Sequence, residues 1–251
     1  MTRLATEQAF HDEQAAQRRQ ALSPDALRFA DDEYLDHESW VRPAFAWLGD
    51  PRGLKILDLG CGHGMAAVVL ARRGAEVTGL DLSTGYLAEA RSRAAANNVS
   101  AAWVQADAER LPFPDATFDR IWGHAILHHL DLPRVAAELE RVLKPGGWAV
   151  ACEPWGGNPL LRWARSRITY PGKARTPDET PLRADCLPIF RERFPGLEWQ
   201  GHQLAGMLRR VLGDTIATRV LTRVDRVCLA CCPPLRHWSR YVVLRLPRQN
   251  I

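Results

Sequence analysis

Lys55-Ile56-Leu57-Asp58-Leu59-Gly60-Cys61-Gly62-His63-Gly64-Met65 decides how the chain is read. Ile56, Leu57 and Leu59 suit a strand buried on both faces, and the run stops at three alternate glycines. Such glycines permit a turn tight enough for main chain to approach a ligand closely. The next residues, Ala66 to Arg73, favour a helix whose free N–H groups would point into that turn. The stretch therefore predicts a ligand cradle made mostly of backbone.

Glycine spacing separates two kinds of cradle. A dinucleotide fingerprint, Gly-x-Gly-x-x-Gly, would put its third glycine at position 65, where this chain has Met65; its third glycine is Gly64. The pattern Asp58-x-Gly60-x-Gly62-x-Gly64 instead resembles motif I of the class I S-adenosylmethionine-dependent methyltransferases. That resemblance implies that Asp58, Gly60, Cys61, Gly62 and Gly64 hold the amino-acid and ribose part of the cofactor.

Outward from the turn, Glu76 to Ser83 reads as a second strand ending at Asp81, 21 residues beyond Gly60. Nucleotide-type folds place a ribose-binding carboxylate there, so Asp81 with Leu82 beside it is expected to face an adenosine-containing ligand. A third strand, Ala101 to Ala108, runs into Glu109-Arg110-Leu111-Pro112-Phe113. This wording is similar to the family's adenine-binding segment, which implies that Asp107 accepts from the exocyclic amine and the Ala108 N–H donates to a ring nitrogen.

A fourth strand, Thr117 to Leu127, leads into His128-His129-Leu130-Asp131. It looks like the fourth motif of small-molecule methyltransferases akin to the quinone-biosynthesis and type 11 groups, which implies that His124 touches the methionine part of the cofactor. His128 and His129 are the candidate catalytic bases, because an unperturbed imidazole titrates near neutrality. Extended backbone would point them opposite ways, so one of the two would face the site. A structural role beneath the next helix is the competing reading; Glu153 and His37 are weaker candidates. The helix places Leu132, Val135, Ala136, Leu139 and Val142 on one face, with Asp131 as cap and Lys144-Pro145-Gly146-Gly147 as stop. A fifth strand follows, Trp148 to Pro154. The segment Arg141-Val142-Leu143-Lys144-Pro145-Gly146-Gly147-Trp148 also resembles the family.

From Ile56 to Pro154 strands and helices alternate, which predicts an α/β fold with a doubly wound, mostly parallel sheet. The resemblance implies seven strands, an N-terminal helical cap and a C-terminal helical insertion. Three parts are expected: a cap over residues 1–49, a cofactor-binding core over 50–154 and a substrate-side part over 155–251. In the cap, Ser23-Pro24 and Arg42-Pro43 read as interruptions. Tyr34, His37 and Trp40 are lid candidates there, against the reading that such aromatics pack the cap onto the sheet. After Pro154, Trp155 and Tyr170 lie among Arg162, Arg165, Arg167, Lys173 and Arg175, either as a solvated basic face or as a lid over an anionic or aromatic substrate. Met207 to about Cys232 reads as helical and Arg240 to Leu246 as a last strand near the sheet edge. The family joins its last two strands by a short hairpin, whereas this chain inserts about thirty-five residues.

Composition excludes little else. The chain has 251 residues, 46% hydrophobic and 25% charged, enough for a full core. Its net charge of +4 is too mild to argue for nucleic acid. No segment reaches the length of a membrane span. Six cysteines without a disulfide-like framework suggest a reducing, cytoplasmic setting. Cys228, Cys231, Cys232 and His237 match no common zinc spacing and read as small core residues of a helix, so no metal is expected.

The expected activity is methyl transfer from S-adenosylmethionine, yielding S-adenosylhomocysteine, to a small-molecule acceptor. O-methylation stands slightly ahead of C- or N-methylation, and a homodimer is possible. A protein or nucleic-acid acceptor is disfavoured because His124-Ala125-Ile126-Leu127 replaces the Asn-Pro-Pro-Tyr-type segment that grips a planar amide or base. A protein that binds the cofactor without transfer is the alternative from another class.

Overall fold

The computed structural model describes residues 3–167, 180–213 and 215–250, the side chains of residues 164–166 and 210–211 excepted. Helix α1 (Arg3–Ala21), a 3-10 turn at Pro24–Leu27, α2 (Asp31–Leu35) and α3 (Val41–Ala46) precede the sheet. The break at Ser23-Pro24 is as expected, with Ser23 capping the 3-10 turn. Pro43 is not an interruption: it lies in the first turn of α3, where the missing N–H has no intrahelical partner to lose.

Strands β1 (Lys55–Leu59), β2 (Glu76–Asp81), β3 (Ala102–Gln105) and β4 (Phe118–His124) alternate with α4 (Met65–Arg72), α5 (Thr84–Ala96) and α6 (Leu132–Val142). Strand β5 (Leu143–Pro154) starts directly after α6, and the Gly146-Gly147 stop lies within it as a register shift against β4. Then come α7 (Pro159–Arg167), α8 (Leu187–Arg193), β6 (Glu198–His202), α9 (Arg209–Leu212), α10 (Ile216–Cys231) and β7 (Tyr241–Pro247). The expected continuous helix from Met207 is broken at Gly213, whose φ of +72° ends α9.

The seven strands lie in the order β3-β2-β1-β4-β5-β7-β6. Strands β1 to β5 are parallel, and β7 is antiparallel to both β5 and β6. Strand order reverses between β1 and β4, the place where open α/β sheets form a ligand crevice beyond their carboxyl ends. Because β7 opposes both neighbours, β6 runs parallel to β5. The segments leaving β5 and β6 therefore emerge at the same edge as the glycine turn.

Alternation along each strand divides the core into two layers. Leu57, Leu59 and Ile121 face Val135, Leu139 and Phe190 of α6 and α8. Ile56, Trp122 and Val150 face the other way, onto Val68 of α4 and the cap residues Trp40 and Phe45. Burial on both sides explains why β1 carries apolar residues without a polar face.

Candidate functional site

The turn after β1 is left-handed at Gly60, Gly62 and Gly64, with φ of 66°, 49° and 82°. A Cβ on Gly60 would lie 2.7 Å from Ile126 Cγ1, and one on Gly64 would lie 2.7 Å from Ala90 Cβ. A Cβ on Gly62 would meet nothing within 4 Å. Gly60 and Gly62 line a cavity at the carboxyl edge of the sheet. Gly64 and Cys61 do not: Gly64 packs against α5, and Cys61 is buried with Sγ toward Gly79.

Asp58 lies buried beneath the turn and accepts from the Ala67 N–H at the start of α4. Burial, with Asp81 nearby, pushes its carboxyl up to about 7, and its Oδ2 has no hydrogen-bond partner. Asp81 lines the cavity, accepting from the Gly62 N–H at 2.8 Å and the Ser83 N–H at 2.9 Å. Burial raises its pKa despite those bonds. Leu82, Asp107 and Ala108 also line the cavity, and Asp107 accepts from the Glu109 N–H at 2.9 Å.

Helix α1 roofs this cavity with Leu4, Glu7, His11 and Gln14, residues the sequence reading did not single out. Asp12 fastens the helix by accepting from Ser83 Oγ at 2.5 Å and the Gly85 N–H at 3.2 Å. Arg18 pairs with Glu89 at 3.1 Å, and Arg3 pairs with Glu109 while donating to the His129 carbonyl at 3.0 Å. The spacing of Leu4, Glu7, His11 and Gln14 is that of one helix face, but three of the four are polar, and a polar face ordinarily marks solvent.

His128 and His129 are not on extended backbone. Strand β4 ends at His124, Ala125 adopts φ of +56°, and Leu127–His129 form a 3-10 turn. His128 turns inward, buried, with Nδ1 2.7 Å from Glu153 Oε2. The same carboxylate, fully buried at the end of β5, accepts from the Ile126 and Leu127 N–H groups at 3.0 and 2.9 Å. It thereby fixes the turn. His129 turns the other way and lines the cavity, with Nδ1 3.6 Å from Glu7 Oε2, while His11 Nε2 lies 3.5 Å from the same oxygen. These three side chains, not the cysteines, are spaced to hold a metal ion, each offering one atom within 4.8 Å of the others. Cys228 is half-buried and Cys231 and Cys232 are exposed, so the latter two are not core residues as expected.

His124 falls outside the cavity lining. Its Nδ1 lies 3.3 Å from Tyr34 Oη, its ring stacks on His37, and burial lowers its pKa to about 4. Trp122 Nε1 donates to Tyr34 Oη at 3.0 Å. Tyr34 and Trp40 are buried in the core beneath the cap, so packing rather than lid formation describes them; His37, exposed, donates from Nδ1 to the Tyr34 carbonyl at 2.5 Å. Trp155 is likewise no lid: fully buried, it stacks on Trp199 and donates to the His237 carbonyl at 3.2 Å. Large aromatics bury whatever else they do, and these sit where the sheet needs cover. Tyr170 lies outside the described residues.

The strand order and its crevice define the class of fold: a Rossmann-like, doubly wound α/β domain with a ligand crevice beyond the carboxyl ends of β1 and β4. Residues 57–151 match the family model described as a methyltransferase domain. A 2-phytyl-1,4-naphtoquinone methyltransferase of Nostoc sp. is 40% identical over 121 residues, 45% of this chain and 52% of that protein. A malonyl-[acyl-carrier protein] O-methyltransferase of Enterobacter lignolyticus is 42% identical over 167 residues, 66% of this chain and 54% of that protein. The chain thus spans about half the length of the relatives it matches. An S-adenosylmethionine-dependent methyltransferase from Mesorhizobium loti shares the fold, at 22% identity and a TM-score of 0.52, over 85% of this chain and all of that one.

Proposed function

We propose that this protein transfers a methyl group from S-adenosylmethionine to a hydroxyl of a small molecule. The carrying observation is that one cavity is lined by Gly62, Asp81, Asp107, Ala108 and His129 together. Those residues fit the cofactor's chemistry. Asp81 supplies a carboxylate for ribose hydroxyls, and Asp107 with the Ala108 N–H supplies an acceptor and a donor for the adenine edge. Asp58, buried beneath the turn and outside the cavity lining, braces the glycine turn from below by accepting from the Ala67 N–H. Gly62 leaves open the space a side chain would fill.

The chemistry supplied by S-adenosylmethionine is an electrophilic methyl, whose transfer to oxygen leaves S-adenosylhomocysteine and a proton to be removed. His129 takes that proton at a ring nitrogen, and Glu7 beside it steadies the imidazolium. With α1 over the cavity, orientation of the acceptor supplies much of the remaining rate. The His128–Glu153 pair acts beneath, holding the turn that aims His129.

C-methylation of a quinone-like ring is the second reading, favoured by the match to the Nostoc relative, whose name specifies a naphthoquinone. Incubating the protein with methyl-labelled cofactor and fractionated cell extract tests both. Label in an alkali-stable, non-ether product would replace the O-methyl reading with C-methylation, and label in polymer alone would sink the small-molecule reading.

A further inference from the structure

Helix α10 turns an apolar stripe to solvent. Ile216, Val220, Val224 and Val227 are 81%, 48%, 47% and 62% exposed. At about 100° per residue their spacing gathers them into an arc of about 80°. Arg219, Arg223 and Arg226, all exposed, run along one flank of that arc. The helix's single acid, Asp225, is buried on the opposite face, accepting from the Leu204, Ala205 and Gly206 N–H groups at 2.9, 2.8 and 2.8 Å. Outward, α10 therefore presents three guanidinium groups and no carboxylate.

The stripe has company. Among the described residues, every exposed large hydrophobic side chain except Leu4 lies between Leu160 and Trp238. Leu160 and Trp163 sit on α7, which leaves β5, and Leu208 and Leu212 precede α10 in the segment that leaves β6. Both segments emerge at the carboxyl edge that holds the cavity. Exposed apolar surface on this scale marks a docking face.

Charge selects the occupant. A second copy meeting this face by twofold symmetry would press two arginine flanks together. An anionic bilayer surface accepts both features: the aliphatic stripe enters the headgroup–acyl boundary while the guanidiniums reach lipid phosphates. No helix among the described residues is long and apolar enough to cross a membrane, so such attachment is peripheral.

We propose that α10 seats this protein on an anionic membrane surface, placing the cavity edge where a lipid-dissolved methyl acceptor can enter. The acceptor half of this statement rests on the methyltransferase reading; the docking half does not.

Sedimentation of the full chain with phosphatidylcholine–phosphatidylglycerol vesicles, against phosphatidylcholine alone, tests it, with a thermal melt of each variant as the control for folding and S-adenosylhomocysteine titration as a separate readout. Binding is expected on the anionic vesicles and to fall with added salt. Arg223→Gln should lower partition about fivefold, and the pair Val220→Glu with Val224→Glu at least tenfold, roughly the burial of two side chains. Absent or charge-independent vesicle binding overturns the proposal, as does full binding by the double variant. A solution dimer that the double variant dissociates, without vesicle binding, assigns the face to a second copy and overturns it too. Vesicle binding without S-adenosylhomocysteine binding would sink the enzyme reading alone; the converse would sink the docking alone.

Discussion

The Oδ2 of Asp81 accepts the Gly62 N–H at 2.8 Å, so the acid ending β2 and the glycine turn ending β1 form one unit. On the proposed reading, a carboxylate that already braces the turn would take a second set of donors, the ribose hydroxyls, with little reorganisation. Asp81→Ala should weaken S-adenosylhomocysteine binding by about tenfold or more, the loss expected for charge-assisted hydrogen bonds. Isothermal titration reads this directly, and unchanged affinity would remove the ribose role.

His128 and His129, adjacent in sequence, should separate in function. His129→Ala should lower turnover by about a hundredfold or more with an oxygen acceptor, as loss of a general base does. Glu153→Ala should instead cost about 3 kcal/mol of stability, because the His128 ring and two amides lose a buried acceptor. Thermal unfolding distinguishes the two variants.

The buried acid under the turn makes stability depend on pH. Asp58 titrates at about 7 in the folded protein against about 4 in an unfolded chain, so folding favours its protonated form. Its contribution is fully present below pH ~4 and is lost as pH rises through 7. Asp58→Asn should therefore show less loss of stability between those limits in urea melts. His124 works in the other direction: lowered to about 4 from 6.5, it contributes above 6.5 and loses that contribution as pH falls toward 4. A His124→Phe variant that unfolds at the same acid midpoint as the parent would contradict this.

Gly64 and Gly62 should tolerate alanine differently. Gly64→Ala adds a backbone clash near Ala90 to left-handed strain and should destabilise by about 2 kcal/mol or more. Gly62→Ala carries only the strain, so its larger effect should fall on S-adenosylhomocysteine affinity.

Much of the fold was legible from Ile56 to Pro154 because alternating apolar runs, glycine turns and caps such as Asp131 act locally. Asp81, Asp107 and Ala108 reached the cavity because strand ends fix their positions. The roof was illegible for a physical reason: α1 turns Glu7, His11 and Gln14 inward, against the rule that buried faces are apolar. Trp40 and Trp155 misled because a core tryptophan and a lid tryptophan look alike in sequence. The inward turn of His128 follows from the left-handed Ala125, a conformation that alanine does not signal.

The polarity of that roof also bears on how often the protein can work. A helix buried by its hydrocarbon must give up hydrophobic contact each time it lifts, whereas α1 offers water a carboxylate, an imidazole and an amide. Its opening exchanges hydrogen bonds for hydrogen bonds. On the proposed function, exchange of product for cofactor would require only that this one fastened helix lift, with the sheet beneath left unchanged.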